Sequence, residues 1–170
     1  CQELYEGKIK KLMIFVPPQN GKALKHDTPI LTTKGFKKHC ELQAGDIVFN
    51  NKGEQVKVIA NSGVYEWDCM DVQFLGGYNL IASNNHEWNL NDTQKTYETN
   101  DIKKFIENGL LPSIDAHIFN FITPVGKEFV NCIQVEGGIY LAGMNLIPTH
   151  NSEIVTRQFP AWCFGNDPNL

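Results

Sequence analysis

The stretch Asn20-Gly21-Lys22-Ala23-Leu24-Lys25-His26 (NGKALKH) begins a phosphate-binding loop and abandons it after two residues. Such a loop needs Gly-Lys-Ser/Thr in unbroken order. Its backbone cradles phosphates, the Lys reaches the outer ones and the hydroxyl ligates Mg2+. Here Ala23 follows Lys22, and the hydroxyl that completes the pattern is Ser152, within Pro148–Val155 (PTHNSEIV). Upstream, Leu12–Val16 (LMIFV) reads as a buried strand stopped by Pro17-Pro18. Downstream, Ser152–Phe159 reads as a helix ending before Pro160. Joined directly, PPQNGK and SEIVTRQF restore the strand, loop, helix order of a nucleotide-binding loop. Residues 23–151 therefore read as an insertion between flanks 1–22 and 152–170.

The insertion has the grammar of an all-β domain. Strands are predicted over Thr28–Thr32, Gly45–Phe49 and Gln55–Ala60, with Asn51-Lys52-Gly53 as a hairpin signal. Gly63–Phe74 reads as a pair of strand-like runs, and Gly76-Gly77 as a turn before Tyr78–Ala82. The pattern weakens after Trp88. One short helix is predicted over Asn100–Gly109, with Asp101 near its start and Gly109 as its stop. Strands resume over Ala116–Ile122, Glu128–Glu136 and Ile139–Ala142.

The downstream junction carries its own chemistry. His150-Asn151-Ser152 sets an imidazole, a carboxamide and a hydroxyl side by side. An Asn side chain can attack its own carbonyl, form a succinimide and cut the chain after itself. A neighbouring His supplies the acid–base help this step lacks in water, and the Ser beyond it is an acyl acceptor. Read alone, Thr149-His150-Asn151-Ser152 is also an ordinary polar loop, Cys132 a buried inert thiol in an alternating run, Trp88 a packing residue, His86 a structural hydrogen-bonding residue and Ser83 a turn residue.

Five ordered blocks resemble a mini-intein of the Hint (hedgehog/intein) family without a homing endonuclease: ALKHDTPILTT (23–33), LQAGDIVFNNKG (42–53), YNLIASNNHEW (78–88), EFVNCIQVEGGIYLAG (128–143) and LIPTHNS (146–152). The resemblance implies a horseshoe-like β fold with one short helix, and autocatalytic splicing that joins Lys22 to Ser152. The departures are informative. Ala23 replaces the usual first nucleophile, and Cys132 stands where the penultimate block usually has Asp. Trp88, Cys132 and Thr149 together resemble the signature of class 3 inteins, which use an internal Cys as first nucleophile. Gly138 occupies the position of a usual His. By this resemblance Cys132, Asn151, Ser152, His150, His86, Ser83, Thr149 and Trp88 form the catalytic set, with Lys22/Ala23 and Asn151/Ser152 as scissile junctions. Three other readings stand beside it: an ordinary intein whose first Cys is replaced by Ala, an ATPase fragment with an inert β insertion, and a plain binding module of the Hint shape, decayed and inactive.

The restored flank MIFVPPQNGKSEIVTRQFPAW resembles the ATPase segment of phage large terminase subunits, though it lacks the first Gly of the loop pattern. The expected host is an ATP-dependent DNA-packaging terminase in the cytoplasm of a phage-infected bacterial cell. Splicing in cis requires no cofactor, metal or partner, and a monomer is expected. A net charge of −4 and a pI near 5.7 argue against direct nucleic-acid binding. No apolar run is long enough to span a bilayer, and LMIFV is too short for a signal-peptide core. Cys1, Cys40, Cys69, Cys132 and Cys163 are odd in number, without Cys-x-x-Cys or zinc-ligand spacing, which favours a reducing compartment.

Overall fold

The structure, a computed structural model, describes residues 22–91 and 95–150. The expected strand at Leu12–Val16, the expected helix at Ser152–Phe159, and Asn151 and Ser152 themselves lie outside the described residues.

Among the described residues there are fourteen strands, one α-helix and one 3-10 turn (His39–Glu41). The strands and the α-helix are β1 (Leu24–Lys25), β2 (Pro29–Thr32), β3 (Gly35–Lys38), β4 (Ile47–Phe49), β5 (Gln55–Asn61), β6 (Tyr65–Phe74), β7 (Tyr78–Ser83), β8 (Glu87–Asn89), β9 (Thr96–Glu98), α1 (Thr99–Glu107), β10 (Ser113–Ile114), β11 (His117–Asn131), β12 (Ile133–Val135), β13 (Ile139–Ala142) and β14 (Ile147–His150). One sheet runs β1-β7-β6-β11-β10, and β1 also pairs with β11, so four strands close on themselves. A second sheet runs β12-β5-β4-β2-β3, and β8-β9 and β13-β14 form separate ribbons.

Local chemistry explains the turns. In the β4–β5 hairpin the Asn50 side-chain oxygen accepts from the Lys52 and Glu54 amides at 3.0 and 2.9 Å, and Gly53 takes a left-handed φ of 76°. The helix α1 carries Asp101 in its first turn, paired to Lys104 at 2.9 Å, and stops at Gly109, whose φ of 81° continues no helix.

The structure corrects several strand boundaries. Gly63–Phe74 contains one strand rather than two. The runs expected at Ala116–Ile122 and Glu128–Glu136 are joined, because β11 continues through Pro124 and Gly126 along β6, with register shifts at Phe119/Phe121 and Pro124/Gly126. Pro124 offers no N–H to the ladder, and Gly126 at φ 83° absorbs the irregularity. The weak pattern after Trp88 hides the β8–β9 ribbon.

The most consequential correction concerns Cys132. The run Phe129–Val135 does not alternate: Val130, Asn131, Cys132 and Ile133 are all buried in succession. They are buried because the chain changes sheets here. β11 ends at Asn131 against β1 and β6, and β12 begins at Ile133 against β5. Cys132 sits in the gap between two ladders.

Candidate active site

The two-residue strand β1 sets the upstream end of the insertion. Leu24 pairs with Ala82 on one side and Asn131 on the other. Carrying both antiparallel registers back one residue places Ala23 opposite Ser83 and opposite Cys132. The contacts agree. The Ala23 amide donates to the Ser83 hydroxyl at 3.2 Å, and the Ser83 amide donates to the Ala23 carbonyl at 2.9 Å. Ala23, Cys69, Val130 and Cys132 form a small buried cluster of their own, with Tyr65, Trp67 and Ile81 against it. Ala23 is fully buried.

Cys132 is held by its backbone. Its amide donates to the Ser62 hydroxyl at 2.9 Å, and its carbonyl accepts from the Ser62 amide at 2.9 Å. The Tyr65 hydroxyl lies 3.3 Å from Cys132 Sγ. Burial, then the charge and hydrogen bond of Cys132, keep the Tyr65 phenol well above its ordinary range, so it stays protonated. Cys69 points its thiol at the Trp67 carbonyl, 3.4 Å away. Burial, with Glu128 and Asp68 nearby, pushes that thiol up to about 11. Cys69 is thus a poor nucleophile at neutral pH.

His86 and Trp88 enter from the loop after β7 and from β8. Both are fully buried, with ring centroids 4.7 Å apart in an edge-on arrangement. Trp88 also packs edge-on against Phe119 and Phe74. Its indole N–H donates to Thr99 Oγ1 at 3.0 Å. The Thr99 hydroxyl lies 3.0 Å from the Ser83 carbonyl and 3.2 Å from that of His86. The Thr99 and Asn100 amides, donors with no partner inside the helix, bond the carbonyls of His86 and Asn84 at 2.9 and 3.2 Å. The helix start therefore fixes the loop that carries Ser83 and His86. Neither ring nitrogen of His86 meets a hydrogen-bond partner of good geometry among the described residues. Burial above all pushes this imidazole down to about 3, with positive charge on His150, His39 and Lys22 adding to the effect and the Lys22 backbone opposing it. Those neighbours place the ring beside the upstream junction and within electrostatic reach of the downstream one. Lys22 itself is tied down by an ion pair with Glu87 at 2.8 Å.

The downstream residues arrive on β14. Thr149 pairs with Tyr140 and His150 with Ile139. Thr149 is buried and donates to the Tyr140 carbonyl at 3.1 Å. A cavity of about 260 Å3 adjoins Thr149 and His150, walled by Asn89, Leu90, Ile114 and Asp115. Gly138, which sequence reading left without an acid–base role, is a buried turn residue at φ 80°.

Ser83, His86, Trp88, Cys132, Lys22 and Ala23 thus gather at one junction, and Thr149 and His150 occupy the adjoining ribbon. Sequence reasoning missed the residues that hold them: Ser62, Tyr65, Thr99 and a network centred on the fully buried His39. There, His39 Nδ1 donates to Asn131 Oδ1 at 2.8 Å, and Nε2 accepts from the Tyr140 hydroxyl at 2.9 Å. Asn131 donates in turn to the His39 carbonyl at 3.1 Å and to Asn61 at 3.0 Å. This network ties the residue before Cys132 to the strand beside Thr149. No motif spacing announces it; a buried polar cluster is visible only in three dimensions. Among the described residues no group of three or more His, Cys, Asp or Glu side chains could hold a metal ion.

The two buried imidazoles give a pH prediction. Burial holds His39 down to about 4, against the pull of its Asn131 bond, and His86 to about 3. The unfolded chain takes up both protons near pH 6.5 while the folded chain refuses them. Stability is therefore full above pH 6.5 and falls as pH drops from there toward 4 and 3. The slope should approach ~1.4 kcal/mol per pH unit per histidine. Urea midpoints measured from pH 7.5 to 4.5 should fall steadily, and a flat profile would show that these rings are not held neutral.

No known family profile matches the chain. The fold is that of the Hint domains of inteins. The Msm DnaB1 intein splicing domain, solved with zinc bound, is 25% identical, with a TM-score of 0.66 over 75% of this chain and 99% of its own. A variant of the MchDnaB-1 intein superimposes with a TM-score of 0.66 at 22% identity, over 76% of this chain and 99% of its own. A gp41-1 intein carrying Cys→Ala, Phe→Trp and Asp→Cys substitutions matches with a TM-score of 0.62 at 22% identity, over 77% and 100%. The replicative DNA helicase DnaB of Mycobacterium leprae is 25% identical over 167 residues, covering 89% of this chain. The chain spans 27% of that helicase's length. The chain is homologous to intein splicing domains, and that relation supports autocatalytic protein splicing as its general activity.

Proposed function

We propose that residues 23–151 are a class 3 mini-intein that excises itself and joins Lys22 to Ser152. The observation that carries this reading is the buried contact between Ala23 and Cys132. The first residue has no nucleophile, and the thiol packed against it can supply one.

In the first step Cys132 Sγ bonds to the Lys22 carbonyl carbon as the Lys22–Ala23 C–N bond breaks. His86 is neutral at rest, so it acts in two strokes. It takes the thiol proton from Cys132 and delivers it to the departing Ala23 nitrogen, which leaves poorly otherwise. A buried imidazolium is a strong acid, which favours the second stroke. Ser83 sits on the same nitrogen and orients the junction, and with backbone N–H groups it offers stabilisation to the oxyanion. Ser152 Oγ then takes residues 1–22 from Cys132 as an ester, returning a proton to the sulfur. Asn151 cyclises with help from His150, freeing residues 23–151, and an ester-to-amide shift completes the Lys22–Ser152 bond. One peptide bond replaces another, so the scheme needs no cofactor, partner or energy source. Trp88 positions His86 by ring contact, and Thr149 anchors the strand that carries His150.

A parallel supports the class. The three substitutions in the gp41-1 intein introduce Ala, Trp and Cys in that order, 64 and 42 residues apart. This chain has Ala23, Trp88 and Cys132, 65 and 44 residues apart. For the host we propose an ATPase whose phosphate loop is rebuilt by splicing, and from its flanks a phage terminase large subunit, acting in the cytoplasm of an infected bacterium.

Mass spectrometry of the incubated full chain tests the scheme. Two products are expected: residues 23–151 ending in succinimide or Asn, and a peptide joining 1–22 to 152–170. In Asn151→Ala the C-terminal cut should disappear while dithiothreitol still releases residues 1–22, because acylation of Cys132 precedes cyclisation. Full splicing by that variant would refute the role of Asn151.

A further inference from the structure

We propose that Tyr65 is a catalytic residue of the upstream step, donating its hydroxyl hydrogen bond to the Cys132 sulfur as that sulfur becomes a thiolate. The inference rests on Cys132 being the first nucleophile and adds a residue that no sequence block marks.

Tyr65 opens β6, opposite Val130 at the end of β11. That register delivers its ring to the place where the chain leaves one sheet for the other. The hydroxyl reaches Sγ at 3.3 Å, ordinary for a bond to sulfur. The ring is braced edge-on by Trp67 at 6.3 Å, and Trp67 is itself bonded to Asn84 at 3.2 Å. The donor is therefore held before the thiol ionises. A thiol could donate to a phenol oxygen, but a thiolate can only accept, so ionisation turns the contact into a charge-assisted bond. The phenol does not lose its proton in the exchange.

Such a donor suits the site. The cluster around Cys132 is apolar: Ala23, Val130 and the Cys69 thiol are its buried members. Apolar burial disfavours a thiolate. Among the described residues the ionisable groups around this corner include His86 at the upstream junction, Tyr140 on β13 and Cys69 on β6, with Asp68, Glu128 and Lys25 around Cys69. Asp68 and Glu128 are acids, and Lys25 is engaged by Glu128 at 3.2 Å. Tyr65 brings a polar hydrogen directly to the sulfur without adding charge.

Tyr65→Phe keeps the ring and removes the donor. In an Asn151→Ala background, alkylation of Cys132 by iodoacetamide is followed against pH by peptide mapping, which separates it from the other thiols. Loss of one hydrogen bond to a charged atom should move the alkylation midpoint up by about one pH unit. Thiolytic release of residues 1–22 at neutral pH should slow about tenfold. A packing role alone would lower the melting temperature and leave the midpoint in place. Replacing Tyr65 with 3-fluorotyrosine, a stronger donor of nearly equal size, should move the midpoint down. An unchanged midpoint in both variants, with Cys132→Ala still inactive, overturns the role of Tyr65 and leaves the splicing scheme standing. Release of residues 1–22 from Cys132→Ala would instead overturn the scheme beneath it.

Discussion

Cys132→Ala should abolish release of residues 1–22 by dithiothreitol, with parent and variant run side by side on a gel. The expectation is total loss, because among the described residues the corner holds no substitute. The Ala23 methyl has no lone pair, and the only other thiol in the cluster is Cys69. That thiol is pushed up to about 11 and aims at a carbonyl on its own strand. Its thiolate fraction at pH 7 is on the order of one in ten thousand, given the tenfold loss per pH unit. Removing one buried sulfur costs roughly 1 kcal/mol of packing, so the variant should stay folded. Its backbone clamp to Ser62 does not involve the side chain. Equal release from both chains would return Cys132 to the status of an inert core thiol.

The parts of the fold that rest on local chemistry were legible in the residues. The Asn50–Glu54 hairpin, the start of α1 near Asp101 and its stop at Gly109 are each written by side chains acting within a few positions. The resemblance supplied the blocks, and with them Ser83, His86 and Cys132. Sequence pattern failed where the chain serves two sheets at once. An alternating reading of Phe129–Val135 assumes one ladder with one buried face. The crossover buries four residues in succession and makes Cys132 inaccessible to any period-two argument. The strand β11 was misread for a related reason. Pro124 and Gly126 look like an ending, and only the long partner β6 shows that the ladder continues past them.

The support of the site was illegible for a different reason. Thr99, Ser62, Tyr65 and His39 act at sequence separations of 11 to 101 residues from the groups they bond. Each is an unremarkable residue in its own stretch. Thr99 opens a helix, and that position alone gives no sign that its hydroxyl receives the Trp88 indole. His39 sits in a single 3-10 turn, His39–Glu41, yet it is fully buried between Asn131 and Tyr140. Trp88, read alone as packing, fills the core against Phe74 and Phe119 and also meets the His86 ring in an edge-on arrangement.

His86→Leu should separate catalysis from stability more sharply than any other substitution. Thioester formation should fall by about 10²–10⁴-fold, the loss expected for one positioned acid–base group. Stability should hold or rise. The imidazole is fully buried against Trp88, and neither nitrogen is bonded at good geometry among the described residues. Burying such polar atoms costs on the order of 1–3 kcal/mol, and Leu fills a similar volume without that cost. The acid limb of the stability profile should also become shallower, because one of the two low-titrating rings is gone while His39 remains. Such a pairing, slower chemistry with an equal or higher melting temperature, is expected where a fold carries an unfavourable group for its reactivity. A structural His86 predicts the reverse on both counts: a lower melting temperature and an unchanged rate of thiolysis. Melting curves at pH 7 and pH 5, taken with the thiolysis rate on the same samples, decide between them.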